Sequence, residues 1–147
     1  MRVIILIAAT LLSIGLHAQD KAKDKVVKVP DAVAKVISTG YPTASELKWS
    51  QKNDRYKADF KVGKTDHKVW MDAGGAIVKH EYEIKKAELP KAIQDAVLKE
   101  FSTLTIGDCE KTDENGTSTY KVELKSAQGK KKHVEFTSEG KVIEKKK

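Results

Sequence analysis

The chain has 147 residues, of which 28 are Lys or Arg and 21 are Asp or Glu, for a formal net charge of +7, with four His and one Cys. A single Cys excludes an internal disulfide framework, so stability has to come from packing. Lysines alternate with acids almost throughout, Arg is scarce and no nucleic-acid module is recognisable, so the basic balance does not point to nucleic acid.

Arg2, the uncharged apolar run Val3 to Leu16, and Ala18 before a cut read as a secretory signal peptide over residues 1–18. The run is too short and too poorly flanked for a spanning helix. No Cys lies near the junction, which argues against a lipid anchor. Removal of 18 residues leaves 129 and takes the charge from +7 to +6. Residues 19–28, charged and poor in large apolar side chains, read as a flexible lead-in. The expected location is periplasmic or secreted.

From Val29 the chain reads as two tandem units, 29–86 and 87–147. "VPDAVAKVISTGYP" recurs as "LPKAIQDAVLKEFS" at a shift of 60, "RYKADFK" as "TYKVELK" at 64, and "VWMDAGGAIVKHE" as "VEFTSEGKVIEKK" at 65. The four residues gained by the second copy fall in "KTDENGTST", which reads as loop chemistry.

Each copy opens with a predicted helix. Pro30 and Pro90 suit the first helical position. Val33, Val36, Ile37 and Tyr41, then Ile93, Val97, Leu98 and Phe101, follow helical spacing and read as core faces. Gly40 and Pro42 stop the first helix. A short strand is expected around Leu47 to Trp49. Tyr56, Ala58, Phe60 and Val62 then alternate with Lys57, Asp59 and Lys61, as in a strand with one wet face, and Tyr120, Val122 and Leu124 repeat the pattern. The Lys–acid–Lys wet face is expected to pair across strands. His67, Val69 and Met71 form one face of the next strand and Lys68 and Trp70 the other. Ile77 to Ile84 forms a further strand.

"DAGGAIVKHE", from Asp72, contains a glycine pair that invites a phosphate-loop reading. Only Gly75 recurs, as Gly140, and strand chemistry follows rather than a helix, so the stretch reads as a hairpin turn with one left-handed position. "NGT" at Asn115 fits both a glycosylation acceptor and an Asn-Gly turn, and the turn reading is preferred. The fold class that results is α+β, each unit a helix followed by an antiparallel meander of three to four strands, with one sheet face covered and the other open.

No catalytic set assembles. His67, His80 and His133 lack metal-ligand spacing, no nucleophile motif is present, and no cofactor or metal site is expected. Cys109 aligns with Trp49, and both are expected at the same inward position. Trp70, on a polar strand face, either packs within the chain against the neighbouring unit, the preferred reading, or anchors an interface.

The stretch "VPDAVAKVISTGYPTASELKWSQKNDRYKADFKVGKTDHKVWMDAGGAIVKHE" resembles the PepSY-like family of secreted bacterial proteins, described as β-lactamase-inhibitor-like. The matching elements are the V/L-P helix start, "YPTA", "LKW" and the G-x-[IV]-[VIL] hairpin return. The second unit departs at "FSTL" and at Cys109. The resemblance implies a fold similar to the β-lactamase inhibitor protein, with a concave sheet surface, and a link to inhibiting or chaperoning peptidases. It brings no catalytic residues. The expectation is a non-enzymatic module that recognises or inhibits a protein, such as a peptidase or other envelope enzyme, through the open sheet face. Candidate protein contacts are Trp70, His80 and Tyr82. The alternative is a small anionic ligand or envelope polymer held by a basic surface, with Lys130, Lys131, Lys132 and Lys145 to Lys147 supplying the charge.

Overall fold

A computed structural model describes residues 27–143. The expected signal peptide, most of the lead-in and Lys145 to Lys147 lie outside that range. Among the described residues no helix is long and apolar enough to cross a membrane.

Helix α1 spans Asp31–Gly40 and α2 spans Lys91–Glu100. Each begins one residue later than its proline predicts. Pro30, at ψ 147°, and Pro90, at ψ 139°, are still extended and flank the helix rather than enter it. Their carbonyls accept from the N–H groups of Ala34 (3.0 Å) and Gln94 (3.3 Å), so the proline lends an acceptor at a place where its own missing donor costs nothing. At the other end the N–H groups of Tyr41 and Phe101 donate to Ile37 and Val97, both at 2.9 Å, and turn each aromatic down onto the sheet.

The strands are β1 (Ala44–Lys52), β2 (Arg55–Val62), β3 (Thr65–Met71), β4 (Ile77–Ile84), β5 (Thr105–Glu114), β6 (Thr117–Lys125) and β7 (Lys131–Thr137). A single 3-10 turn, Lys86–Glu88, leads from β4 towards α2. All seven strands pair in chain order, each antiparallel to the next, in one sheet. The β4–β5 ladder, from Lys79 opposite Glu114 to Ile84 opposite Cys109, carries that sheet across the middle of the chain.

The alternation read from the sequence sets the layers. Ala58, Phe60, Val69 and Met71 face α1 and close around Val33 and Ile37. Leu89, Ile93 and Val97 close over Cys109, Val122, Leu124, Val134 and Phe136. Full burial of each large side chain contributes about 1.5–3 kcal/mol, so these two clusters dominate the stability. Trp49 and Cys109 lie on this covered face, as expected, with Cys109 buried and Trp49 packed at the margin of the α1 cluster. Burial, with a smaller push from Asp108, raises the Cys109 thiol above its ordinary range, which makes it an inert core residue.

The four extra residues are not loop. They lengthen the β5–β6 hairpin, whose ladder runs on through Asp113 opposite Ser118 and Glu114 opposite Thr117. Only Asn115 (φ 50°) and Gly116 (φ 78°) turn. Two left-handed residues in sequence match the twist of the flanking strands, so the turn stays tight and the polar residues beside it stay paired.

Candidate functional site

The face away from the helices is made by alternate residues of every strand, so register decides what gathers there. Lys57 of β2, Trp70 of β3 and Lys79 of β4 stand side by side. The two ammonium groups lie 5.2 and 5.0 Å from the centre of the Trp70 ring. A cation over each side of an indole is attracted by the ring's negative face and also fixes the ring's orientation. Trp70 is therefore held by side chains of its flanking strands rather than covered by the second half as expected, and it stays half-buried on the open face.

Beside that ridge runs a ladder of charge. Lys79 lies 2.7 Å from Glu81 and 3.9 Å from Glu114. Lys68 bridges Glu81 at 3.4 Å and Glu110 at 3.5 Å, and Lys121 reaches Glu110 at 3.6 Å. Burial works to lower the Lys68 pKa, but Glu110 and Glu81 outweigh it and hold it above its ordinary value. Burial likewise works to raise the Glu81 carboxyl, and Lys79 and Lys68 hold it below the usual range. The expected pairing of the Lys–acid–Lys stripes is partly along the strand. Lys57 meets Asp59 at 2.7 Å on the same strand, and Glu123 meets Lys125 on its own strand and Lys131 on β7, each at 3.0 Å.

The face is hollowed on both sides of the Trp70–Lys79 ridge. A depression of about 670 Å³ crosses β3 to β7, with Lys68, Glu81, Glu110, Thr112, Thr119 and Lys121 in its lining. A second, of about 520 Å³, lies between Trp70, Lys57 and the β1–β2 turn at Asn53 and Asp54. Charges of both signs, already oriented by their neighbours, surround one amphipathic ring. Such a surface presents fixed donors and acceptors to a polar partner with little ordering left to do.

His80 and Tyr82 are not on this face. His80 stands opposite Val69 and Tyr82 opposite His67, which puts both on the helix side. Trp70 and this pair were expected together, and the sheet separates them by its thickness, because even and odd positions shift relative to one another at the bulge before Met71. On the helix side they form a seam between the two cores. The Tyr41 ring lies 5.7 Å from His67 and 5.9 Å from His80, and His80 stacks on Tyr82 at 4.5 Å. His67 Nδ1 and His80 Nε2 are 3.1 Å apart, a distance at which one N–H donates to the other's lone pair. Burial, then the neighbouring His67, pushes the His80 pKa down to about 4, Asp113 opposing and Lys111 assisting. The Tyr82 hydroxyl donates to Asp113 at 3.4 Å, and Lys111 pairs with Asp113 at 3.0 Å. Among the described residues no three His, Cys, Asp or Glu side chains converge as metal ligands do.

Sequence reading found Trp70 but missed its two lysine flanks and the Lys68–Glu81–Glu110 bridge. The signal for them is register alone. Once Phe60 and Val69 are both assigned inward, Lys57 and Trp70 share the opposite face, and Lys79 joins them through the bulged β3–β4 register.

No curated protein matches the chain. A solved structure of a DUF2874 family protein from Bacteroides uniformis is 28% identical, with a TM-score of 0.62 over 78% of this chain and 86% of that one. A solved structure from Bacteroides eggerthii, titled as one of "putative periplasmic proteins", is 25% identical, with a TM-score of 0.64 over 80% and 88%. A BLIP-like protein from Bacteroides fragilis shares the fold at 22% identity, with a TM-score of 0.63 over 83% and 88%. The family model described as "Putative beta-lactamase-inhibitor-like, PepSY-like" matches residues 21–79 and 54–144, and on that span the chain belongs to the PepSY-like family.

Proposed function

We propose that this protein is a non-enzymatic, periplasmic or secreted binding module that recognises another protein, an envelope enzyme such as a peptidase, through its open sheet face. The observation that carries the reading is the Trp70 ring held between Lys57 and Lys79 at the crest of two hollows lined by oriented charges. An indole fixed in place and ringed by polar groups is the usual form of an interface anchor. Periplasmic placement rests on the signal peptide expected over residues 1–18, and the printed description of the Bacteroides eggerthii structure is in keeping with it.

The same reading treats residues 29–86 and 87–147 as two related units that share one sheet. The helix-then-strands order and the glycine turns at Gly75 and Gly140 support it. In that arrangement only the first unit carries the anchor, since Glu135 stands where Trp70 does.

The test is capture of the partner from periplasmic extract with the purified module, identification by mass spectrometry, and titration of the purified partner. Trp70→Ala is expected to weaken binding at least about tenfold, the effect of losing an anchor of 1.4 kcal/mol or more. His80→Gln, on the opposite face, is expected to leave it unchanged. Equal affinity for wild type and Trp70→Ala would refute the open face as the contact.

A further inference from the structure

We propose that the outward edge of β7 docks an extended, acidic peptide segment as an added antiparallel strand. This surface adjoins the β7 end of the open sheet face and lies at the other end of the sheet order from Trp70. In an antiparallel ladder, alternate residues turn both backbone groups to the same side. The Ile143 N–H donates to the Glu135 carbonyl at 2.7 Å, and the Thr137 N–H donates to the Lys141 carbonyl at 2.8 Å, so the odd-numbered residues of β7 point outward. Lys131 and His133 share that parity. Their outward N–H and C=O groups meet no strand among the described residues, in which the return segment pairs through Val142 and Ile143. A groove of about 300 Å³ runs along this edge, lined by Phe101, Lys132, Val134, Val142 and Ile143 among others.

The two edges of the sheet differ. At β1 the register breaks between Ser45 and Lys48, and Glu46 sits at φ 55°. A bulge of that kind twists an edge away from pairing. The β6–β7 register runs unbroken from Thr137 to Lys131. β7 therefore presents the flatter template.

Charge selects the occupant. Lys130, Lys131, Lys132 and His133 are all exposed, and the one carboxylate beside them, Glu123, is shared among Lys125 (3.0 Å), Lys131 (3.0 Å) and His133 (3.6 Å), so the cluster keeps a net positive charge. A second copy paired edge to edge would set these lysines against their own equivalents. Like charges directly opposite destabilise a strand pair, and opposite charges stabilise it. An extended segment with Glu or Asp at alternate positions sets them beside Lys131 and His133, gives its backbone to the same two residues, and lays its apolar side chains on the other side, against Val134 and Phe101.

The experiment titrates the full chain with a fluorescent hexapeptide of alternating Glu and Val, followed by anisotropy and by hydrogen exchange. Saturable binding, with slowed exchange at the amides of Lys131 and His133, is expected. His133→Pro removes one outward donor and leaves the β6 ladder intact, and it is expected to weaken binding about tenfold, the worth of one hydrogen bond. Lys131→Glu, which keeps the backbone, is expected to weaken it likewise, and circular dichroism checks that both variants fold. Trp70→Ala is expected to change nothing, which keeps this result independent of the open face. Equal binding of an alternating Glu and Pro peptide would show charge attraction without strand addition and overturn the proposal. No binding, binding only after residues 144–147 are removed, or protection of the same amides by self-association would each overturn it too.

Discussion

Gly75 and Gly140 show how closely one residue can be specified. Both hold positive φ, 88° and 79°, and both turns press on the first turn of a helix. A Cβ on Gly75 would stand 2.9 Å from the Ala32 carbonyl oxygen, and one on Gly140 would overlap the Ala92 carbonyl. Gly63 also has positive φ, 62°, but a Cβ there meets nothing within 4 Å. Alanine at Gly140 or Gly75 is therefore expected to cost about 2–3 kcal/mol by strain and steric overlap together, and alanine at Gly63 only about 1 kcal/mol, from the left-handed backbone. Urea melts of the three variants check the order. His80 makes a second residue-scale case. Its folded pKa of about 4 lies below the ordinary 6.5, so the unfolded chain takes up a proton first as pH falls. The stability it contributes is complete above about pH 6.5 and is lost on the way down to about pH 4. The ring is only half-buried, and with screening by water the loss is on the order of 1 kcal/mol. His80→Phe is expected to flatten the pH dependence of the urea midpoint between pH 6.5 and pH 4. His67, whose pKa burial also lowers from 6.5, is the neighbouring group that can titrate in the same window, and a slope unchanged by the substitution would assign the effect to it.

At the scale of elements, the turn between β5 and β6 tests whether hairpin length or turn chemistry sets the register. Asn115 at φ 50° followed by Gly116 at φ 78° forms the tight turn. Asn115→Ala is expected to lower stability by about 1 kcal/mol, and Asn115→Gly to leave it within a few tenths, because only the left-handed backbone is at stake. Thermal melts of the two variants decide it. The elements themselves were legible because their periods are clean. Val33 and Ile37 against Val69 and Met71 read correctly as helix and strand facing one core. The longer hairpin was not legible, because Thr, Asp, Glu and Ser beside an Asn-Gly carry loop chemistry, and only pairing with the facing strand reveals them as ladder. The opposite faces of Trp70 and His80 escaped for a related reason. Parity counted along the chain fails at a bulge, and the bulge beside Met71 sits in the turn that separates them.

Across the whole molecule the question is whether two cores behave as one. The clusters under α1 and α2 share no buried residue, yet the β4–β5 ladder joins them, and the seam of Tyr41, His67, His80, Tyr82 and Asp113 stacks and hydrogen-bonds across it. Loss of the α2 core would strip β5 from β4, leave Ile84 without its cover and break the Tyr82–Asp113 contact, all of which support β4 and through it β3. The two cores should therefore unfold together. Both tryptophans, Trp49 and Trp70, lie in the first half and report only on it, whereas circular dichroism reports on the whole sheet. Ile93, on the buried face of α2, is far from either ring in the sequence and belongs to the other cluster. Ile93→Ala is expected to cost about 2–5 kcal/mol. In a coupled molecule the tryptophan transition and the dichroism transition move to lower urea by the same amount and stay superimposed. A tryptophan transition that holds its wild-type midpoint while the dichroism splits into two steps would mean that the seam does not couple the halves, and that each core stands alone.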